Sequence, residues 1–360
     1  MTSQQSAAGT AAAHGEPLTE EIHMGYSPAR SSAIIRRPPA RRRGAPVRRL
    51  RAVLLLLPAL SMVSATTAKA GTGMCDGMRI PLNTSVLSVP FANLALGGRN
   101  GNFLLDTGAT HSRVDMRRYE APDGVKIFLS GFSLPWAQGG LFTAADLRSF
   151  AAPPGRQLGN VGTDFLSLRS IEFHYAQPNP FAVLGRKACN PTLLRDSGFA
   201  AVGLPGYYEA DPAGLKRGMP NVPVIGLRIG AVTFPAQVDT GYGDDPHGVV
   251  QLNGALLKIL RAAGIPMRAR PSDVVTVGCS GTYAYERWQV EQDELSIIAP
   301  EGDVVVSYPP PLLEMKTDAH CAGISAFAEP FAQIGASWLS RWGTSVFDGL
   351  TSAVWIHAAR

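Results

Sequence analysis

VPFANLALGGRNGNFLLDTG, residues 89–108, returns at a constant offset as VPVIGLRIGAVTFPAQVDTG, residues 222–241. The two copies align without a gap and share Val, Pro, Leu, Gly and the closing Asp-Thr-Gly. Each alternates apolar with small or polar residues, turns at a glycine and comes back as a second strand. That pattern is a β-hairpin delivering an acid at the end of its return strand. Asp and Gly end strands routinely, but a plain turn does not call for the same three residues twice in the same context. The chain therefore reads as an internal duplication.

A second match extends it. VGTDFLS at 161–167 pairs with IGASWLS at 334–340, and a closing strand follows each, SIEFHY at 170–175 and SAVWIH at 352–357. Period-2 patterning dominates, so the fold class is mainly all-β with few short helices. The firm helical prediction is VVQLNGALLKILRAAGIP at 249–266, with Asn253 as cap, a Leu256, Leu257, Leu260 stripe, and Gly264 with Pro266 as stop. The repeats divide the chain into a leader at 1–70, a first lobe at 71–185, a Gly/Pro/Tyr-rich connector at 186–214 and a second lobe at 215–360.

The leader carries an arginine cluster (Arg41, Arg42, Arg43, Arg48, Arg49, Arg51), an apolar run at 52–63 and the small-residue site Ala68-Lys69-Ala70. This order is a secretory signal, and the apolar run is short for a bilayer span. Export is expected, to the periplasm or the exterior, with no stable membrane insertion after cleavage. Of the 33 Lys and Arg and 28 Asp and Glu, 10 and 3 fall in residues 1–70, which leaves 23 against 25, a formal charge of −2. The basic balance belongs to the leader and makes no case for nucleic-acid binding. All 4 cysteines lie beyond it, which in an oxidising compartment suggests two disulfides. Three pairings are open. Cys75–Cys189 with Cys279–Cys321 is favoured, because each bond then stays with one repeat unit.

FLLDTGAT (103–110), AQVDTGYG (236–243), NVGTDFL (160–166) and QIGASWL (333–339) resemble, in kind and order, the motifs of the pepsin-like and retropepsin-like aspartic proteases. The likeness covers most of residues 85–357. It implies a bilobal double-ψ β-barrel fold, a monomer with both acids in one chain, a peptide or unfolded protein as substrate, and no cofactor. Asp106 and Asp239 take the place of the catalytic pair. Thr107, Gly108, Thr240 and Gly241 form the supporting loops, with Val161-Gly162 and Ile334-Gly335 beneath them.

Elementary chemistry agrees with that assignment. Hydrolysis of an amide by water needs a base for the water and an acid for the carbonyl. Two carboxylates held close cannot both ionise cheaply, so they share a proton and divide the roles. A flap is expected over the cleft, with Phe132 and Trp136 of SGFSLPWAQGG (130–140) as its aromatic roof and VGCSGTYAYERW (277–288) as its lobe-two counterpart.

The second acid loop departs from the pattern. Ala109 and Thr110 are small and hydroxylic, whereas their counterparts are Tyr242, bulky beside the acid, and Gly243, which has no side-chain donor. A peptide-binding protein of the same fold without catalysis is the alternative this suggests. Asp244, Asp245 and His247 read as a solvated loop, and no metal site is expected.

Overall fold

The structure is a computed structural model that describes residues 74–85, 88–147, 157–203, 221–243, 248–271, 275–278, 281–317 and 323–357. The leader, Cys279, Cys321, Asp244, Asp245, His247 and residues 204–214 of the connector lie outside the described residues. In lobe one the strands are β1 (Gly77–Asn83), β2 (Phe91–Leu96), β3 (Arg99–Leu105), β4 (Arg113–Asp115), β5 (Lys126–Leu134), β6 (Ala137–Ala145) and β7 (Gln157–Val161). Helix α1 (Thr163–Leu166), β8 (Ser170–His174) and β9 (Phe181–Gly185) complete it. Helix α2 (Pro191–Asp196) and β10 (Phe199–Ala201) lead to lobe two.

Lobe two repeats the plan with an insertion. Its elements are β11 (Val224–Ile229), β12 (Val232–Val238), β13 (Val249–Leu252), α3 (Gly254–Ala262), β14 (Met267–Arg270), β15 (Val275–Gly278), β16 (Gly281–Ala284) and β17 (Glu286–Val290). Then come β18 (Leu295–Ile298), β19 (Val304–Tyr308), β20 (Leu312–Met315), β21 (Ala332–Ile334), α4 (Ala336–Trp342), β22 (Thr344–Asp348) and β23 (Ala353–His357).

Both hairpins form as the patterning predicts. β2 pairs with β3 from Phe91↔Leu104 to Leu96↔Arg99, and β11 with β12 from Val224↔Gln237 to Ile229↔Val232. In each copy the strand ahead of the acid then pairs in parallel with the apolar-Gly strand, β3 with β7 and β12 with β21. A third strand pairs antiparallel to the apolar-Gly strand, β4 with β7 and β13 with β21. The alternation buries one face of these strands, and Leu94, Leu96, Phe103, Leu105, Leu227, Ile229 and Val238 are all inside.

The lobes join through a shared sheet. The twelve-stranded sheet runs β10-β23-β22-β8-β9-β1-β2-β3-β7-β4-β6-β5, and β8 lies antiparallel beside β22. There Phe173↔Ser345 sits next to Glu172↔Val346. Under the offset that matches VGTDFLS to IGASWLS, each of these pairs maps onto the other. The approximate twofold axis therefore passes between them.

This corrects two expectations. The counterpart of SIEFHY is GTSVFD (343–348), whose last five residues are β22, whereas SAVWIH carries β23 and stands opposite β9 in the plan. The helix expected over 249–266 is confined to Gly254–Ala262, because Val249–Leu252 is a fully buried strand paired on both sides. Asn253 caps that helix through Leu256 N–H, and Leu256, Leu257 and Leu260 are buried as expected.

The flap assignment is also corrected for Phe132. Its ring is 5 % exposed and stands edge-on to Phe142 and Phe165 inside lobe one. A register shift between Ser130 and Leu134, with Gly131 at φ +69°, turns this part of β5 inward. Trp136 follows it down, its indole N–H donating to Phe165 O at 3.2 Å. The hairpin thus packs on its own lobe.

Cys75 and Cys189 are bonded, as expected. The bond fastens the chain ahead of β1 to the segment after β9, across a sequence separation of 114. Two buried carboxylates flank it: Glu172 accepts from Cys75 N–H at 3.2 Å and Asp348 from Cys189 N–H at 3.0 Å. Replacing both cysteines by serine is expected to lower stability by about 2–4 kcal/mol in urea unfolding. With Cys279 and Cys321 replaced by serine in both proteins, reductant should reproduce that loss where Cys75 and Cys189 remain and do nothing further where they are replaced.

Candidate active site

Asp106 and Asp239 stand at the ends of β3 and β12, where the two parallel pairings place them at equivalent points about the twofold. Asp106 N–H donates to Val161 O and Asp239 N–H to Ile334 O, both at 2.9 Å. The buried Val161 and Ile334 thus support the loops from below. After each apolar-Gly pair a short helix begins, and its first amide ties the loop down. Thr163 N–H donates to Ala109 O at 2.8 Å, and Ala336 N–H to Tyr242 O at 2.9 Å.

The two threonines cross the axis. Thr107 N–H donates to Thr240 Oγ1 at 2.9 Å and Thr240 N–H to Thr107 Oγ1 at 3.1 Å. Each hydroxyl in turn donates to the opposite strand, Thr107 to Val238 O at 2.6 Å and Thr240 to Leu105 O at 2.5 Å. Both threonines are buried, so every polar atom in this lock is satisfied without water.

Within each loop the acid folds back on its own backbone. Asp106 Oδ1 accepts from Gly108 and Ala109 N–H, both at 3.0 Å. Asp239 Oδ1 accepts from Gly241 N–H at 2.9 Å and Tyr242 N–H at 3.1 Å. The glycines are required sterically: a Cβ on Gly108 would collide with the Asp239 carboxyl, and one on Gly241 with that of Asp106. The same collisions show how near each carboxyl lies to the other's loop.

Each carboxyl acts on the other across this short gap, and both pKa values are raised. For Asp106 burial is the main cause, opposed first by a hydrogen bond from Asn160. Asp239 is pushed up to about 8, by burial first and then by the negative charge of Asp106, with Lys316 pulling the other way. The pair thus holds a proton through the neutral range.

Raised acid pKa values fix the sign of the pH dependence. An acid that binds its proton more tightly folded than unfolded stabilises the fold at low pH. That contribution is complete below the unfolded value near 3.8 and is lost as pH rises through the folded value. The thermal midpoint is expected to fall by several degrees between pH 4 and pH 8.5, on the order of 2–4 °C per kcal/mol in a domain of this size. Asp239→Asn should flatten this slope in a calorimetric pH series.

The contacts of three residues escape the sequence. Asn160 Nδ2 donates to Asp106 Oδ2 at 3.2 Å. Ser112 links Gly162 N–H at 2.8 Å to Asp164, which accepts the serine hydroxyl at 2.6 Å and its amide at 2.9 Å. Tyr242, bulky beside the acid in the sequence, sends its ring into lobe two, where its hydroxyl donates to Glu314 Oε2 at 2.9 Å.

Glu314 also accepts from Arg287 Nε at 2.7 Å and from Arg287 Nη2. Gln251, Gln333 and Gln237 continue this buried polar chain. No helix among the described residues is long and apolar enough to cross a membrane, and no cluster of metal-ligating side chains occurs among them.

The fold is mainly β, built from two lobes that repeat one plan. No protein-family model matches the chain, and no curated protein does. Among solved structures it is similar to basic 7S globulin from soybean, at 14% identity over 79% of this chain and 95% of that one, with a TM-score of 0.41. It is likewise similar to conglutin gamma, a basic 7S globulin from lupine seeds, at 13% identity over 78% and 94%, with a TM-score of 0.43.

Proposed function

We propose that the protein takes an extended peptide between its lobes and hydrolyses it by the aspartic mechanism. The observation that carries this is the placing of each acid's carboxyl against the other loop's glycine, above a satisfied threonine lock. A water bound to both acids loses a proton to the ionised carboxylate while the protonated one donates to the peptide carbonyl oxygen. The resulting tetrahedral diol collapses as a carboxyl returns a proton to the amine, and the C–N bond breaks. Export to an oxidising compartment goes with this reading, and the Cys75–Cys189 bond supports it.

The second reading keeps the peptide and removes the turnover. It is favoured by Gly243, which leaves the second loop without the side-chain hydroxyl that Thr110 supplies to the first. One experiment separates the two. An acid-unfolded protein incubated at pH 3–6 should be cleaved, and a statine-type inhibitor should stop it. Peptide binding without cleavage anywhere between pH 3 and pH 8 would give the case to the second reading.

A further inference from the structure

Asn160 and Gln333 occupy the same place in the two halves. Each precedes an apolar-Gly pair, and each stands opposite the residue two before the acid, Leu104↔Asn160 in lobe one and Gln237↔Gln333 in lobe two. Their other neighbours also match: Arg113↔Asn160 and Gln251↔Gln333 in the antiparallel pairings. What differs is the chemistry around them.

Leu104 offers Asn160 nothing polar. The Arg113 N–H donates to Asn160 Oδ1 at 3.0 Å, which fixes the amide orientation, and Nδ2 is thereby aimed at Asp106 Oδ2. In lobe two, Gln237 donates to Gln333 Oε1, and Gln333 Nε2 donates to Gln251 Oε1 at 3.2 Å. Both ends of the Gln333 amide are thus taken up inside the lobe, and among the described residues it makes no hydrogen bond to Asp239.

We infer that Asn160 is a positioning residue that breaks the symmetry of the acid pair, holding the negative charge on Asp106 and leaving the shared proton to Asp239. An amide donor favours the charged form of the carboxylate it meets. The remaining surroundings are balanced. Each acid receives two loop amides, and each is enclosed by the other's loop. Lys316, the charged group acting on Asp239, works against this assignment and does not reverse it.

Joined to the proposed hydrolysis, Asp106 takes the proton from water and Asp239 donates to the carbonyl. That catalytic consequence rests on the peptidase reading; the placement of the proton does not.

The test follows the carboxyl carbons by NMR in protein labelled with ¹³C at aspartate Cγ, assigned through Asp106→Asn and Asp239→Asn. In the native chain Asp106 should titrate below Asp239. Asn160→Leu, close to isosteric, should raise the Asp106 midpoint by about one pH unit or more and carry the acid limb of kcat/KM with it. Gln333→Leu should leave both midpoints in place. If Asn160→Leu does not fold, Asn160→Asp keeps the acceptor for Arg113 N–H while losing the donor, and should move Asp106 upward further.

An unmoved Asp106 in a folded Asn160 variant overturns the inference, as does an equal shift from Gln333→Leu. Shifted midpoints in a protein that cleaves nothing sustain it and overturn the peptidase reading alone. Cleavage with unmoved midpoints does the reverse.

Discussion

Asp106→Asn and Asp239→Asn should each reduce acid cleavage on the order of 10³-fold or more, with KM little changed. Under the proposed hydrolysis neither acid works alone. Without Asp239 there is no proton to polarise the carbonyl, and without Asp106 no carboxylate to activate water. A carboxamide in either place keeps the loop hydrogen bonds at Oδ1, so the threonine lock and the fold should survive.

The neutral substitution should also raise stability at pH 8, because it removes the cost of ionising a second acid within the pair. A variant that loses activity while melting higher at pH 8 is the expected signature, read by kcat/KM at pH 4 and calorimetry at pH 8. Cleavage persisting in both variants would place the chemistry elsewhere. Under the binding reading both variants should keep their affinity for peptide.

The hairpins and both acid loops were legible because their information is local. Apolar alternation, a turn glycine and Asp-Thr-Gly lie within twenty or so residues and occur twice. The Cys75–Cys189 bond followed from where those copies lie. β22 was hidden because GTSVFD opens with glycine and small hydroxylic residues, which read as a turn, and its strand character comes from β8 and β23 on either side.

Val249–Leu252 was ambiguous in principle, since a short apolar run before a helix fits a buried strand as well as another helical turn. Phe132 was misplaced because aromatic patterning names the hairpin but not the face that its bulge turns inward. At the site, NVGTDFL does not say what its Asn160 touches, and Glu314 carries no motif. Their roles exist only through partners 54 and 72 residues away, Asp106 and Tyr242. Tyr242 was read as an obstacle because its ring's destination depends on those distant strands.

That destination carries the largest expected effect on stability. Glu314 is 1 % exposed on β20, beside Gln251 of β13 and Arg287 of β17 in the sheet registers. Its carboxylate faces the Arg287 guanidinium and the Tyr242 hydroxyl together. Glu314→Leu should therefore cost about 3–5 kcal/mol in urea unfolding, because a buried cation loses its carboxylate.

The double variant Glu314→Leu/Arg287→Met should recover most of that loss, since an apolar pair of similar volume removes the desolvation cost of both ions. Activity should not recover with it. Without the Glu314 carboxylate Tyr242 loses the hydrogen bond of its hydroxyl, which helps fix the amide donating to Asp239 Oδ1. A stable, folded double variant with kcat restored to the native value would show that the second acid loop holds its shape without the tyrosine's anchor.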